Sequence, residues 1–194
     1  MNRLGYKKIQ TPLMWLFIIL TLGFLALMAL NQSFFDWAFE RHHNVLSWYI
    51  RPLIILPLCY FSYKRSGLGL SMTAFLGLTS MFWFPRPEFV DAQIEGFLEM
   101  EKAYLTSGWT FSKILISSFV PLTLYLLCFA FWKRSLKAGI GIIIAIAVLK
   151  TLWSVIAGGE AGMSVVLPAM VGLFICLFVI FFYMRRRKFR ASQR

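Results

Sequence analysis

Charged residues are scarce in this chain of 194 residues, at 14% of the composition, against roughly 25% in ordinary soluble domains. Hydrophobic residues make up 59% and aromatic residues 18%. A soluble chain of this size could not hide so much apolar surface, and a disordered chain needs low hydrophobicity. The composition therefore excludes both classes and predicts an integral membrane protein.

Sequence signatures of known catalytic sites are also missing. The chain has no Gly-x-Ser-x-Gly elbow, no His-Glu-x-x-His pair, no phosphate-binding Walker loop and no dinucleotide-binding glycine fingerprint. It has three cysteines and no Cys-x-x-Cys pair, so no spacing typical of a redox or zinc site occurs. The sequence predicts no cofactor and no metal, and it leans away from an enzyme.

Long apolar runs fill most of the chain. A helix needs about 20 mostly apolar residues to cross a hydrocarbon core of about 30 Å. Arg51, Pro52 and Pro57 interrupt the second run, but a later start would leave too few residues to cross. The sequence therefore predicts an all-α membrane protein, a single domain over 1–194 with six spans, at 12–30, 45–63, 67–84, 111–132, 138–157 and 163–184.

The positions of the basic residues predict how the spans are oriented. Of the 20 Lys and Arg residues, 14 fall in segments that a cytoplasmic N-terminus places on the inner side. All eight acidic residues fall on the outer side. Because Lys and Arg concentrate in cytoplasmic segments, both termini are predicted to be cytoplasmic. The short loops favour a bacterial inner membrane.

The net charge of +12 follows from basic clusters at the helix ends. Such clusters attract anionic lipid head groups, and the C-terminal run of Arg185, Arg186, Arg187 and Lys188 is the predicted place for this contact. The remaining loops are too short for an RNA- or DNA-binding module, so no nucleic-acid partner is predicted. A homo- or hetero-oligomer stays open.

The longest outer segment predicts an amphipathic helix over 88–105. Ile94, Phe97 and Leu105 recur on one face of this helix, which predicts that it lies on the membrane or caps the bundle. Glu101 falls on the same apolar face, four residues after Phe97 and four before Leu105. A carboxylate there either needs a cationic partner or lies at the rim of the stripe.

Two basic residues fall inside predicted spans. Lys150 lies roughly 4 Å past the middle of the fifth span at 1.5 Å per residue, where a charge costs about 2.5–3.5 kcal/mol and marks function by default. Arg51 lies nearer the outer edge and could bind a carboxylate or phosphate through two parallel hydrogen bonds. The alternative for both is that the long side chain reaches the interface. Glu101 paired with Arg51 or Lys150 is the favoured arrangement.

Four further residues are secondary candidates for a site. Adjacent His42 and His43 fall in the first outer loop, where a solvated loop is the simplest interpretation and acid–base chemistry the alternative. Glu99 belongs to an acidic ladder that is typical of a solvated helix face. Glu160 sits in a glycine-rich turn that could approach a bound solute.

These residues favour one function over two alternatives. The favoured function is transport or binding of a small anionic solute or lipid head group through Arg51 and Lys150, under a lid that carries Glu101. The alternatives are a membrane-embedded enzyme that pairs an outer histidine with a glutamate, and an accessory or structural subunit. Transport leads because basic charge lies within the spans while catalytic spacing is missing.

Overall fold

The computed structural model of the protein describes residues 3–192, and every regular element within that range is a helix. Short 3-10 turns follow the fifth helix, at Ser80–Phe82, and precede the ninth, at Met163–Val165. The α-helices are α1 (Arg3–Leu30), α2 (Gln32–His42), α3 (Leu46–Leu53), α4 (Ile55–Lys64), α5 (Gly67–Thr79), α6 (Ala92–Thr106), α7 (Phe111–Trp132), α8 (Leu136–Gly162) and α9 (Val166–Ser192). The predicted all-α class is confirmed.

Several helices are long and apolar enough to cross a membrane. Three stretches meet this condition by length and composition, at Ile9–Leu30, Phe111–Trp132 and Leu136–Tyr183. A fourth is added if Gln32–His42 and Leu46–Lys64, bent by 95°, are one broken span. Large apolar side chains along α1, α7 and α9 are exposed, which suits helices that face lipid rather than water.

The chain reverses direction between α8 and α9. Gly159 has a φ of 55°, and a Cβ on Gly162 would overlap the backbone carbonyl oxygen of Ser154. Along a straight helix, residues 154 and 162 would lie about 12 Å apart. The last turn of α8 therefore folds back on itself, and glycine at both positions makes this close approach feasible.

The second predicted span is broken at Ile54, between α3 and α4. Pro57 has no N–H to donate to the carbonyl of Leu53, so a continuous helix would lack a hydrogen bond here. The neighbouring helix α9 packs against this break. The thiol of Cys176 donates to the carbonyl of Pro52 at 3.4 Å, and Gly172 faces the Pro52 ring at a distance that no larger residue could keep.

Two apolar clusters hold the helices together, one towards each end of the bundle. We call one end the acidic end, because α2, the segment before α6, α6 itself and the α8–α9 turn there carry the acidic residues. We call the other the basic end, because the α4–α5 and α7–α8 turns there carry lysine and arginine. The acidic-end cluster contains Phe35, Phe39, Trp48, Phe97, Leu98 and Val165. The basic-end cluster contains Cys59, Leu127, Phe131, Ile143, Cys176 and Ile180.

The predicted amphipathic helix starts later than expected. It begins at Ala92 rather than at residue 88, because the carboxylate of Asp91 caps it by accepting from the N–H of Gln93 at 2.8 Å. On its apolar face Phe97 is buried, as the stripe predicts, but Leu105 is 37% exposed. The apolar face of α6 is therefore buried over its first three turns and becomes exposed in the last turn.

Other boundaries also shift. The segment 31–44, predicted as a loop, contains α2. The third predicted span ends as a 3-10 turn at Phe82. The C-terminal helix continues through Arg185 and Arg186, whose side chains are exposed. The side chains of Arg187 and Lys188, predicted to meet lipid head groups, lie outside the described residues.

Candidate functional site

Helix α2 carries His42 into the interior of the acidic end. Its buried residues Phe35, Ala38, Phe39 and His42 recur at the spacing of one helix face. The side chain of Asn31 starts the helix by accepting from the N–H of Phe34 at 2.9 Å. His42 is only 6% exposed. The prediction that it lies on a solvated loop is therefore wrong, because the segment folds as an amphipathic helix whose inner face ends at this residue.

Arg51, on α3, contacts the ring of His42. Its Nη1 donates to Nε2 of His42 at 3.1 Å, so this ring nitrogen accepts and carries no proton. The other ring nitrogen, Nδ1, lies 3.4 Å from the hydroxyl oxygen of Ser47. Ser47 donates its own proton to the carbonyl of Asn44 at 2.8 Å, which leaves its oxygen free to accept from Nδ1–H. The contacts thus assign a neutral His42 protonated at Nδ1.

Glu101 and Lys150 meet where α6 packs against α8. The Lys150 ammonium donates to Oε1 of Glu101 at 3.4 Å. The other oxygen, Oε2, lies 3.8 Å from Nε2 of His42; because that nitrogen is unprotonated, this contact is no ion pair. The side chains of Glu101 and Lys150 are 20% and 45% exposed. The structure therefore brings Arg51, Glu101 and Lys150 into one group around His42, which we call the charged cluster.

Aromatic rings surround the charged cluster. The Lys150 ammonium lies 4.9 Å from the ring centroid of Trp153 and 5.5 Å from that of Phe97, a range at which cation–π attraction operates. Trp48 packs between His42 and Phe97, and its indole N–H donates to the carbonyl of His42 at 3.0 Å. These contacts direct Lys150 towards α6.

The cluster carries more positive than negative charge. Two cations and one carboxylate meet there, and His42 stays neutral. His42 ends α2, outside the six spans that the sequence predicts, and its burial together with the nearby charges of Arg51 and Lys150 lowers its pKa well below the ordinary value. Like charges repel strongly where water is scarce. The arrangement can therefore accept one further negative charge at a favourable electrostatic energy.

The other predicted site residues lie around this cluster rather than in it. The ring of His43 contacts the carbonyls of Phe39 and Glu40 at 3.1 and 3.0 Å, at the end of α2. Glu99 and Glu160 are exposed, on α6 and in the α8–α9 turn. Among the described residues, no group of three or more His, Cys, Asp or Glu side chains could hold a metal ion.

A serine, a histidine and a glutamate in contact resemble the parts of a catalytic triad. In a working triad the histidine accepts the proton of the serine. Here Ser47 is wholly buried and donates its proton to the carbonyl of Asn44 instead. The His42 nitrogen that faces Glu101 already accepts a hydrogen bond from Arg51. The geometry thus favours a role for His42 in holding Arg51 over a role in activating Ser47.

Comparison with protein-family models, with curated proteins and with solved structures gives no match for this chain. The interpretation of the charged cluster therefore depends on its own geometry and chemistry.

Proposed function

We propose that the protein crosses a bacterial inner membrane six times, with both termini in the cytoplasm, and binds or transports a small anionic solute or lipid head group at the charged cluster. The observation that carries the proposal is the gathering of two cations and a single carboxylate around His42: Arg51 donates to its ring, Glu101 faces the same ring nitrogen, and Lys150 contacts Glu101. The excess positive charge is satisfied when a second anion enters.

Helix lengths and turns support six spans. The apolar stretch Leu136–Tyr183 has 48 residues, about 72 Å at 1.5 Å per residue and more than twice the hydrocarbon thickness. The reversal at Gly159 and Gly162 divides it into two passes of suitable length. Together α3 and α4 supply another pass, and α5 with its 3-10 turn supplies a short one. Basic residues at one end and acidic residues at the other agree with the proposed orientation.

The chemistry of the two cations suits an anion with several oxygens. A guanidinium has five N–H donors in a flat fork, and Arg51 directs one nitrogen at His42. A phosphate or carboxylate can accept from the two remaining nitrogens, Nε and Nη2. Lys150, about half exposed, offers a second point charge. The anion class therefore includes organic phosphates and carboxylates.

Helix α6 would act as the lid of this site. It carries Glu101 and packs on the outer end of α8, where Gly158 contacts Phe97 and Gly96 contacts Ala161. An entering anion competes with Glu101 for Lys150. Because Glu101 belongs to α6, displacing its carboxylate weakens the hold of the lid, so binding and opening are coupled in this proposal.

Thermal unfolding in a neutral detergent tests the anion site. The probes are inorganic phosphate, succinate and glycerol 3-phosphate, the last as a soluble analogue of a lipid head group. At least one should raise the melting temperature of the wild type, and Lys150→Leu should abolish the rise. Lys102→Leu is the matched control, because it removes a lysine one residue from Glu101 but outside the charged cluster. Equal loss in both variants would contradict the proposal.

Reporter fusions test the six-span orientation separately. Fusions after Lys64 and Lys137 should report the cytoplasm, and fusions near Asp91 and Glu160 the opposite side. A cytoplasmic signal near Asp91 would overturn the six-span arrangement without touching the anion site.

A further inference from the structure

One segment of the chain occurs twice, 69 positions apart. Residues 52–66 read PLIILPLCYFSYKRS and residues 121–135 read PLTLYLLCFAFWKRS. Seven of the 15 aligned positions are identical, and they include the closing Lys-Arg-Ser and the cysteine seven residues after the proline. Tyr63 and Trp132 are aligned aromatic residues. Each copy ends at a turn of the basic end, the first after α4 and the second after α7.

The structure folds the two closing turns alike. In each copy the N–H of the final serine donates to the carbonyl five residues before it, at 3.0 Å in the first and 2.9 Å in the second. This bond defines a Schellman turn, whose left-handed residue is usually glycine. Here that residue is Arg65 in the first copy, with a φ of 55°, and Arg134 in the second, with a φ of 60°.

An arginine at this position costs backbone energy. Left-handed backbone is disfavoured for any residue with a Cβ, and glycine avoids the penalty. Across residues 3–192, Arg65 and Arg134 are the non-glycine residues with positive φ. Strain of this kind usually persists where the side chain serves a purpose. The same strained backbone occurs at both equivalent positions, so we infer that the function lies in the guanidinium groups of Arg65 and Arg134.

Each arginine contacts the aromatic residue of the other copy. The guanidinium of Arg65 lies 6.0 Å from the ring centroid of Trp132, and its Nε donates to the carbonyl of Trp132 at 3.3 Å. The guanidinium of Arg134 lies 5.3 Å from the ring of Tyr63. Such a reciprocal exchange is what a local two-fold axis between two copies produces. It draws both arginines onto one surface.

Five exposed cations share that surface: Lys64, Arg65, Lys133, Arg134 and Lys137. None of the eight acidic residues belongs to the two turns, and the ion pairs of the described residues lie at the acidic end. Cations held this close repel one another, so the surface favours an external anion. At the end of apolar helices, that anion is the phosphate of a lipid head group.

We propose that the two Lys-Arg-Ser turns form one binding site for the phosphate head groups of anionic lipids, with Arg65 and Arg134 as equivalent ligands. The site lies at the opposite end of the bundle from the charged cluster and does not depend on it. It is formed by residues other than the C-terminal basic run, and its arginines belong to the two turns and lie against aromatic rings.

Melting temperatures in lipid nanodiscs test this site. The full chain is placed in phosphatidylcholine alone and in phosphatidylcholine mixed with phosphatidylglycerol, and the mixture should raise the melting temperature of the wild type. Arg65→Asn and Arg134→Asn should each lose a similar part of the rise, and the double variant should lose more than either. Asparagine tolerates the left-handed conformation, so these changes remove charge and keep the turn.

Arg41→Asn is the matched control. Arg41 also stacks on an aromatic ring, with its guanidinium 4.8 Å from the centroid of Trp37, but at the acidic end. Both leaflets of a nanodisc contain phosphatidylglycerol, so this arginine meets the same lipid. The control should keep the full rise, and an equal loss in Arg41→Asn would overturn the proposal.

Two further outcomes are decisive. A rise of the same size with inorganic phosphate in pure phosphatidylcholine would overturn the assignment to lipid. If the asparagine variants fail to fold, Lys64→Gln and Lys133→Gln replace them, since these changes leave both left-handed residues in place. Native mass spectrometry then counts retained phosphatidylglycerol, and retention equal to that of the wild type would overturn the site.

Discussion

The two ends of the bundle use charge in different ways. At the acidic end, α2, α3, α6 and α8 meet around ionisable side chains, and Arg51, Glu101 and Lys150 contact one another or His42. At the basic end, the helices pack through apolar residues and cysteines such as Cys59 and Cys176, while the cations stay on the surface. Charge is thus part of the packing at one end and remains available to other molecules at the other.

This difference determines what each end responds to. A packed charged cluster depends on the protonation state of His42 and on the carboxylate of Glu101, so pH and anions should affect the stability of the acidic end. The apolar cluster of the basic end contains no charged side chain. Substitutions in the charged cluster and pH changes should therefore alter stability through the acidic end and not through the basic end.

The largest effect on stability is expected when the α8–α9 turn at the acidic end is disrupted. Gly162→Ala places a Cβ against the backbone of Ser154, which cannot move aside as a side chain could. Overpacking of this kind costs about 3 kcal/mol or more, so the free energy of unfolding in detergent should fall by that amount. Gly141→Ala is the control on the same helix, where no atom lies within 4 Å of the added Cβ. A similar loss in both variants would contradict the close approach.

The second largest effect on stability is expected when the carboxylate of the charged cluster is removed. Glu101→Gln leaves Arg51 and Lys150 without a counter-ion, which should destabilise the protein by about 1–2 kcal/mol, less than for a fully buried pair because Lys150 is 45% exposed. Glu99→Gln, two residues away on the exposed face of α6, should change the free energy of unfolding little. Denaturant unfolding measures both. Equal effects would mean that Glu101 lies in solvent.

The pH dependence of stability sharpens the comparison. The pKa of His42 is lowered by burial and by Arg51, Lys150 and His43, while Glu101 also faces its ring. When the pH falls below about 6.5, the unfolded chain takes up a proton that the folded protein refuses, so stability falls by at most about 1.4 kcal/mol per pH unit. Stability is retained above that pH.

A matched pair of variants tests whether this pH dependence belongs to His42. His42→Gln keeps an oxygen that can accept from Arg51 and should flatten the stability profile between pH 5 and 6.5 in buffered detergent. His43→Gln should leave the profile unchanged. If the slope survives in His42→Gln, the dependence belongs to another group.

The smallest effect on stability is expected for the exposed ion pair between α2 and α6. The Lys102 ammonium lies 2.6 Å from Asp36, and hydrogen bonds from Lys102 and Gln32 lower the pKa of Asp36. Both partners are about 40% exposed, and exposed ion pairs contribute little to stability. Asp36→Asn should leave the melting temperature almost unchanged and slightly speed hydrogen exchange in α6. The exchanged pair Asp36→Lys with Lys102→Asp should restore the original rate.

The sequence predicted the helical class and a basic partner for Glu101, either Arg51 or Lys150, because apolar runs and a carboxylate on an apolar face are local features. Which of the two contacts Glu101 depends on the fold, since Lys150 lies 49 positions along the chain. A run of apolar residues defines a membrane helix within a window of about 20 residues. A carboxylate on an apolar stripe needs a cation, and Lys150 was available. The place of His42 depended instead on the fold of segment 31–44, whose short stripe competes with a loop interpretation. Its contact with Arg51 depends on the bend between α2 and α3, which no single segment encodes.

The recurrence of one segment in α4 and α7 has a consequence for the symmetry of the two ends. Position by position, Val120 stands before Pro121 where Arg51 stands before Pro52. The identical positions run from the opening Pro-Leu to the closing Lys-Arg-Ser, so the two segments are alike along their whole length, and Arg51 lies just before the first of them. The two like segments therefore give the basic end a pair of equivalent arginines, one from each turn. The charged cluster receives its arginine from one side alone, so the basic surface has an approximate two-fold symmetry that the charged cluster lacks.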